Sequence, residues 1–277
     1  MSRGCFARTA DTLIVRMPAF AALTIAFVLA LGAAPVESAD QPNAFELAAT
    51  DVTILNPDSL QVIGHGHYHV THLEGADLFE GENNYLDGEH DSEVQRVECG
   101  ANASPPILVS YQHSFFAADG EPESIDRLDA KSGSVSCILY SRGVPEVRES
   151  KIAVPPDTYA GSTQLMLLVG RLRQGARDIT MHAFICLPGP RIVSIKVTPP
   201  STTEKWPMYP GNLVKVELIP DLGWLNAIAG PFIPKAYGWF DPGDDFNYVG
   251  GLFDRFYRRR HLLMVKTPPD PKVAQAR

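Results

Sequence analysis

After residue 50 the chain is dominated by short runs in which hydrophobic and polar residues alternate, each closed by Gly, Pro, Asn or Asp. This period of two sends successive side chains to opposite faces of a β-strand. The runs recur at a spacing of roughly ten residues, which is typical of an antiparallel meander. The pattern predicts strands at 51–55, 60–73, 107–116, 123–129, 134–140, 178–187, 191–198, 212–219 and 261–266, and a hairpin over 82–99 with its turn at Asp87-Gly88.

One stretch, VPPDTYAGSTQLMLLVGRLRQG at 154–175, has a helical period instead. Its apolar stripe consists of Leu165, Met166, Leu168, Val169 and Leu172. Asp157 is predicted to cap the helix, which would begin directly after it, and Gly175 is predicted to end it. We therefore expect a mainly β fold, with a curved antiparallel sheet or half-open barrel packed around one principal α-helix.

The first 39 residues have the order of a secretory signal peptide. Arg3, Arg8 and Arg16 precede or border an apolar run at 17–31, and small residues follow it. The sequence predicts an exported, periplasmic protein. An uncleaved N-terminal anchor is the alternative, because 17–35 is about long enough to span a bilayer.

Residues 40–277 are predicted to form a single β-rich domain with an apolar flap at about 223–240 and a loose C-terminal tail. The whole chain has a net charge of −8. Removal of residues 1–39 takes away three Arg and two acidic residues, which leaves 21 basic and 30 acidic side chains and a net charge of −9. Nucleic-acid binding needs a basic face, so we expect no nucleic-acid partner.

Three cysteines follow the signal: Cys99, Cys137 and Cys186. In an oxidising compartment two can pair, and three pairings are open. We favour Cys137 with Cys186, because each lies in a strand-like run on its own side of the helix. A reactive or metal-binding thiol is the alternative.

His65, His67 and His69 alternate along one predicted strand and so share a face. Two neighbouring imidazoles can bind a divalent metal such as zinc. The predicted hairpin partner offers Asp87, Glu89, His90 and Asp91 as further ligands. The alternative is a solvated polar face without metal. His113 and His182 are interpreted as packing histidines with hydrogen-bond partners.

The tract GWLNAIAGPFIPKAYGWF at 223–240 is rich in aromatic residues and has one charge. Its Gly and Pro residues exclude a spanning helix. It is interpreted as a loop closing the core, with two alternatives: a lid over an apolar ligand and a peripheral contact with a membrane. The candidate ligand-binding residues are Trp224, Phe232, Tyr237 and Trp239.

The sequence DRFYRRRH at 254–261 holds the one dense group of positive charges. Arg258 and Arg259 are candidate ligands for a phosphate or carboxylate headgroup. A solvated strand edge that discourages edge-to-edge pairing is the alternative.

Catalytic motifs are absent from the sequence. It has no G-x-S-x-G elbow, H-E-x-x-H helix, phosphate loop or dinucleotide fingerprint. We predict no catalytic residue, a protein that is not an enzyme, and no cofactor beyond the divalent metal considered above.

The tracts FFAADGEPESIDRLDAKSGSVSC, VPPDTYAGSTQLMLLVGRLRQG and FICLPGPRIVSIKVTP resemble the exported bacterial proteins of the DUF3108 type, in which strands, a P-x-D-T segment, a helix and further strands follow in order. Those proteins are similar to the curved-sheet carriers of lipoproteins and lipids in the periplasm. The resemblance implies a fold and a compartment and carries no site residue.

These observations predict a non-enzymatic exported protein that binds or carries an apolar or lipid-like ligand or another envelope component. Two alternatives stay open. One is a metal-binding module or metal-dependent enzyme that uses the three alternating histidines, and the other is a structural envelope protein without a small-molecule site.

Overall fold

The computed structural model describes residues 49–98, 107–161, 163–173, 175–186, 189–198, 201–205, 209, 211–221, 236–255 and 260–267. The predicted signal peptide, Cys99 and the C-terminal tail lie outside these residues. The described elements are β1 (Ala49–Leu55), β2 (Val62–Leu73), β3 (Ala76–Tyr85), β4 (His90–Glu98), β5 (Ile107–Phe116), β6 (Pro122–Asp129), β7 (Ser134–Ser141), β8 (Val144–Lys151), β9 (Thr158–Tyr159), α1 (Thr163–Arg173), β10 (Ile179–Ile185), β11 (Arg191–Val197), β12 (Ser201–Lys205), β13 (Asn212–Asp221), β14 (Ala236–Asp241), a 3₁₀ turn (Pro242–Asp244), β15 (Asn247–Arg255) and β16 (Arg260–Lys266).

All sixteen strands belong to one sheet, so the prediction of a mainly β, largely antiparallel protein is confirmed. The strand order is β8-β7-β6-β5-β4-β3-β2-β1-β16-β15-β14-β13-β11-β10-β9. Every ladder is antiparallel except the short pairing of β9 with β10. The order begins at β8 and ends at β9, and in the described part of the chain no ladder joins those two strands, so the sheet is open.

The centre of the sheet pairs its first strand with its last. Val52 of β1 lies opposite Lys266 of β16, and Leu55 lies opposite Leu263. Two successions of strands therefore extend from this seam. One runs through β2 to β8, and the other runs back through β15 to β9.

Strands β11 and β12 act as one interrupted strand. Both pair with β13 on the side away from β14: Val197 lies opposite Leu218, and Ser201 lies opposite Lys215. In the sequence, two prolines separate these strands at 199–200, and proline lacks the backbone N–H that a ladder requires.

The helix begins later than predicted. Thr158 and Tyr159 form β9, and α1 starts at Thr163. Asp157 therefore does not cap the helix, because its carboxylate accepts a hydrogen bond from Nδ1 of His182 at 2.8 Å. The side chain that the local sequence predicts as the helix cap is therefore bonded to His182 of β10 instead.

The helix ends as predicted at Gly175, which has φ +74°. Its N–H donates to the carbonyl of Leu172 at 2.9 Å, and the N–H of Ala176 donates to the carbonyl of Arg171 at 3.1 Å. These two bonds are the Schellman pattern, which favours Gly at this position.

Three buried helical side chains, Leu168, Val169 and Leu172, join the largest hydrophobic cluster. The remaining buried members come from the β9–β15 part of the sheet: Tyr159, Ile179, Met181, Ala183, Ile195, Val197, Val216, Leu218, Phe240 and Tyr248. Burying each of these helical side chains is worth roughly 1.5–3 kcal/mol, so this face fixes the helix on the sheet.

The two ends of the open sheet meet through side chains. Cys137 of β7 forms a disulfide with Cys186, which follows β10, and their Cα atoms are 5.7 Å apart. The Tyr111 ring of β5 also contacts Phe184 of β10 edge-on, with centroids 6.0 Å apart. The sheet therefore curves enough to bring strands near opposite ends of the strand order together. The predicted pairing of Cys137 with Cys186 is confirmed, and this disulfide is compatible with an exported protein.

Strand β8 forms one edge of the sheet and is exposed along its whole length. Pro145 lacks a backbone donor, and Arg148 forms an ion pair with Glu146 at 2.5 Å. Proline and charged residues on an edge strand discourage further strand pairing. No helix among the described residues is long and apolar enough to cross a membrane.

We predict that the disulfide is a major source of stability. It closes a sequence separation of 49 residues, and loop-closure entropy for such a loop is worth about 4 kcal/mol. The double variant Cys137→Ser/Cys186→Ser should lose a free energy of unfolding of this order, measured by urea denaturation. Dithiothreitol should lower the urea midpoint of the wild type and leave that of the double variant unchanged. Equal midpoints for the two proteins without reductant would contradict the prediction.

Candidate functional site

A row of polar side chains crosses the concave side of β2–β7. In successive ladders Tyr68 lies opposite Gly81, Gly81 opposite Glu93, Glu93 opposite His113, and His113 opposite Asp126. Because residues opposite each other in a ladder share a face, the register brings three ionisable groups from three neighbouring strands together. Asp126 then lies opposite Cys137, so the row ends at the disulfide.

Asp91 anchors this polar row and is 3% exposed. Its Oδ1 accepts hydrogen bonds from Nδ2 of Asn83 at 2.9 Å and from Nε2 of His113 at 3.2 Å. Its Oδ2 accepts the hydroxyl of Tyr85 at 2.8 Å. A buried carboxylate with three donors is satisfied, so burial does not force it to become neutral.

The charges of Asp91 and His113 stabilise each other. Burial raises the pKa of Asp91, but the hydrogen bond and charge of His113, with the bonds from Asn83 and Tyr85, bring the net pKa below its ordinary value. Burial lowers the pKa of His113, but the hydrogen bond to Asp91 and the negative charges of Asp91, Glu93 and Asp126 together raise it by more. The net pKa therefore lies above its ordinary value. The arrangement thus favours an imidazolium held against carboxylates.

The segment before the helix covers this row. Gly161 has φ +49°, and a Cβ at this position would overlap the carboxylate of Glu93. Glu93 also accepts a hydrogen bond from Nε2 of Gln95. Only glycine combines the left-handed backbone with so close an approach to the carboxylate.

Sequence reasoning missed most of this row. It interpreted His113 and His182 as packing histidines with partners, and each is hydrogen-bonded to an aspartate. Glu93, Asp91 and Asp126 were not assigned to a common site. One feature of the sequence could have indicated the row. In three neighbouring strands with alternating patterns, an ionisable residue occupies an inward position where an apolar residue is expected.

The predicted histidine face lies on the convex side of the sheet. His67 is hydrogen-bonded through Nδ1 to Asp51 at 2.7 Å, and His69 through Nε2 to Glu80 at 2.9 Å. His65 lies next on the same face, between Thr53 and Asn84 in the ladders. Of the partners proposed from the hairpin, Asp91 is buried on the opposite face, whereas His90 lies on the same face as His65, with Asn84 between them. The His90 ring stacks on Phe116 with centroids 4.6 Å apart.

Among the described residues, the one group of three metal-type donor atoms within 4.8 Å is Asp126, Cys137 and Cys186. The two sulfurs are joined in a disulfide, so this group holds no thiolate ligand. A small opening of about 30 Å³ lies beside the disulfide and is bordered by Asp126, Glu146 and Arg148.

Part of the predicted aromatic flap is a strand rather than a loop. Residues 236–241 form β14, which pairs with both β13 and β15. Tyr237 and Trp239 therefore belong to the sheet, where their rings lie 6.1 Å apart. Trp224, Phe232, Arg258 and Arg259 lie outside the described residues.

Tyr237 and Trp239 form part of an apolar layer on the convex side. They pack with Leu252 of β15 and Leu213 of β13, and Trp239 is 8% exposed. Lys215 of β13 completes this surface, because its Nζ lies 4.2 Å from the centre of the Tyr237 ring and 5.7 Å from that of Trp239. We call Lys215, Tyr237 and Trp239 the aromatic surface.

Another open groove, of about 870 Å³, crosses β4–β8. Its accessible surface is mainly apolar, although polar side chains such as Ser110, Gln112, Arg127, Ser136 and Glu149 also line it. Tyr237 and Trp239, the two predicted ligand-binding residues that the structure describes, are not among its lining residues.

Comparison with known proteins identifies no family. No family model matches the chain, and no curated protein matches it. One solved structure that it resembles is a β-barrel-like protein of the domain of unknown function DUF1849 from Brucella abortus. The alignment has 11% identity and a TM-score of 0.41, and it covers 79% of this chain and 94% of that one.

We predict a pH-dependent contribution of His113 to stability. Removing one partner of a buried ion pair costs about 3 kcal/mol, so His113→Gln should lower the free energy of unfolding by this order near pH 6. Because the folded pKa of His113 lies above its ordinary value, this contribution is complete below pH of about 6.5 and is lost as pH rises through the folded pKa. The lowered pKa of Asp91 makes its contribution complete above pH of about 3.9, with loss at more acidic pH.

Urea denaturation of wild type and variant at pH 5, 6, 7, 8 and 9 measures this difference. Val135→Ala is a suitable control, because it removes only apolar contacts and its cost should not depend on pH. A difference for His113→Gln that is equal at pH 6 and pH 9 would refute the assignment.

Proposed function

We propose that the chain is a non-enzymatic exported protein that binds or carries an apolar or lipid-like ligand of the cell envelope. The aromatic surface is the observation that carries this proposal. It combines two large rings with a lysine on one face of the sheet, as an amphipathic ligand with an anionic head requires.

The geometry of Lys215 supports an anionic head in particular. Lys215 lies opposite Trp239 in the β13–β14 ladder, and its ammonium stands over the neighbouring Tyr237 ring. An ammonium at the rim of an apolar surface attracts a carboxylate or phosphate while the rings contact an alkyl chain.

The extent of the convex apolar layer also favours a ligand. The aromatic surface shares one hydrophobic cluster with aliphatic neighbours on the same face: Leu55, Leu213, Val249, Leu263 and Val265. An antiparallel sheet that needs only one core leaves its other face polar, whereas this part of the sheet is apolar on both faces. The five aliphatic side chains of this layer are already at most 7% exposed, so a ligand would extend the cover over the half-buried Tyr237 ring and Lys215.

We also propose a more specific architecture for the open sheet described above. We infer a half-open barrel organised around α1, supported by the helical side chains in the largest hydrophobic cluster and by the meeting of the sheet's two ends at the disulfide. Kinship with exported proteins of the DUF3108 type belongs to the same proposal. Its support is the order of strands, the P-x-D-T segment, the helix and further strands.

Analysis of co-purified lipid tests the proposed function. The full chain should be purified without detergent, extracted with chloroform and methanol, and the extract analysed by mass spectrometry. We expect a lipid or fatty acid in near-stoichiometric amount. An empty extract, together with no binding of a fluorescent fatty acid, would overturn the proposal and favour a structural role without a small-molecule site.

Point variants locate the binding site. Lys215→Gln should weaken binding of the fluorescent fatty acid about tenfold, as loss of one charge-assisted contact of roughly 1.4 kcal/mol would give, and should leave binding of the corresponding fatty alcohol unchanged. Tyr237→Ser should weaken both. Tyr140→Ser, a half-buried tyrosine in β7, is the matched control and should bind both probes as the wild type does. Unchanged binding by both test variants would place the ligand elsewhere.

A further inference from the structure

The convex face of β1–β3 brings histidines and carboxylates into neighbouring ladder positions. His67 lies between Asp51 on β1 and Glu82 on β3, and His69 lies opposite Glu80. The four side chains in the two ion pairs, Asp51, His67, His69 and Glu80, are between 37% and 71% exposed. The group is therefore accessible from solvent and is built by the strand register rather than by adjacency in sequence.

Each imidazole is oriented by a carboxylate. Asp51 bonds Nδ1 of His67 at 2.7 Å, and Glu80 bonds Nε2 of His69 at 2.9 Å. In the neutral tautomer that donates to a carboxylate, the other ring nitrogen keeps its lone pair. The ligand atoms offered are thus Nε2 of His67 and Nδ1 of His69.

This pairing is the arrangement found around metal-binding histidines. Such histidines donate their second ring N–H to a carboxylate or carbonyl, which fixes the tautomer and makes the coordinating nitrogen more basic. His67 and His69 both meet that condition, and they do so with two different carboxylates.

The distance between the rings also fits a shared ion. The centroids of His67 and His69 are 6.0 Å apart, and the ring planes are tilted by 30°. Two imidazoles that bind one ion through bonds of about 2.0–2.1 Å have centroids roughly 5–6 Å apart. The two rings are therefore at the spacing that a shared cation requires.

We propose that His67 and His69 bind a divalent cation of the zinc class on the convex face of β1–β3, with Asp51 and Glu80 as positioning residues. Glu82, which lies opposite His67, supplies a carboxylate ligand, and water completes the coordination. The site is independent of the aromatic surface, so either proposal can fail without the other. It also differs from the ligand set expected from the sequence, because Glu82 takes the place of the residues of the 87–91 hairpin as the carboxylate ligand.

Zinc binding to the tag-free full chain tests the proposal. After removal of metal with EDTA, isothermal titration with zinc chloride should give one equivalent bound by the wild type. His67→Ala and His69→Ala should each remove this binding. Asp51→Asn should weaken it about tenfold, because loss of a carboxylate that orients a ligand costs 10–100-fold in affinity.

His72→Asn is the matched control. His72 lies on the same strand and donates through Nδ1 to the buried Asp77 at 2.8 Å, a bond that the amide of Asn can retain. This variant should bind zinc as tightly as the wild type. Circular dichroism checks that all four variants are folded, and zinc should raise the melting temperature of the wild type and of His72→Asn alone among the histidine variants.

Two outcomes would overturn the site. One is a wild-type chain that binds no zinc and whose melting temperature does not respond to it. The other is stoichiometric binding that survives both His67→Ala and His69→Ala, which would assign the cation to different residues.

Discussion

The disulfide between Cys137 and Cys186 is the constraint on which the curvature of this protein depends. Backbone hydrogen bonds hold each strand to its neighbours, but among the described strands none connects β8 to β9, so the ladders alone leave the sheet open. The cross-link joins β7 to the residue after β10 and holds together the cluster formed by Phe184, Leu128 and Val135. Together with the contact of Tyr111 with Phe184, the disulfide keeps these distant parts of the sheet together beside the polar row.

Much of the fold could be predicted because its boundaries are local. Strand β5 has the bounds expected from its alternation, and Gly175 ends the helix where left-handed geometry requires it. The start of the helix could not be predicted in this way. Asp157 is a good cap by composition, but its partner is His182, which is 25 residues away and comes close only when β9 pairs with β10.

The sequence predicts the candidate sites to different degrees, because some of their residues are neighbours along one strand and others meet only through the pairing of strands. The histidine face follows from period-two spacing within one strand, whereas Asp51 and Glu80 join it through ladders with two other strands. Glu93 and His113 are 20 positions apart and His113 and Asp126 are 13 apart, and only the register brings the three together. The sequence identifies the aromatic tract that contains Tyr237 and Trp239, but its Gly and Pro residues favour a flap, whereas pairing with β13 and β15 makes residues 236–241 a strand.

The pairing of β1 with β16 sets the order of events during folding. Val52 and Lys266 are neighbours in the central ladder although 214 positions separate them in the chain. A contact of such sequence separation must bear the entropy of closing a very long loop, and proteins dominated by such contacts fold slowly. The two strand successions can form hairpins as soon as their residues are available, but the seam between them waits for the last strand. Until that strand is synthesised, β1 has one partner instead of two, and its unpaired edge is open to chaperones or to misassembly.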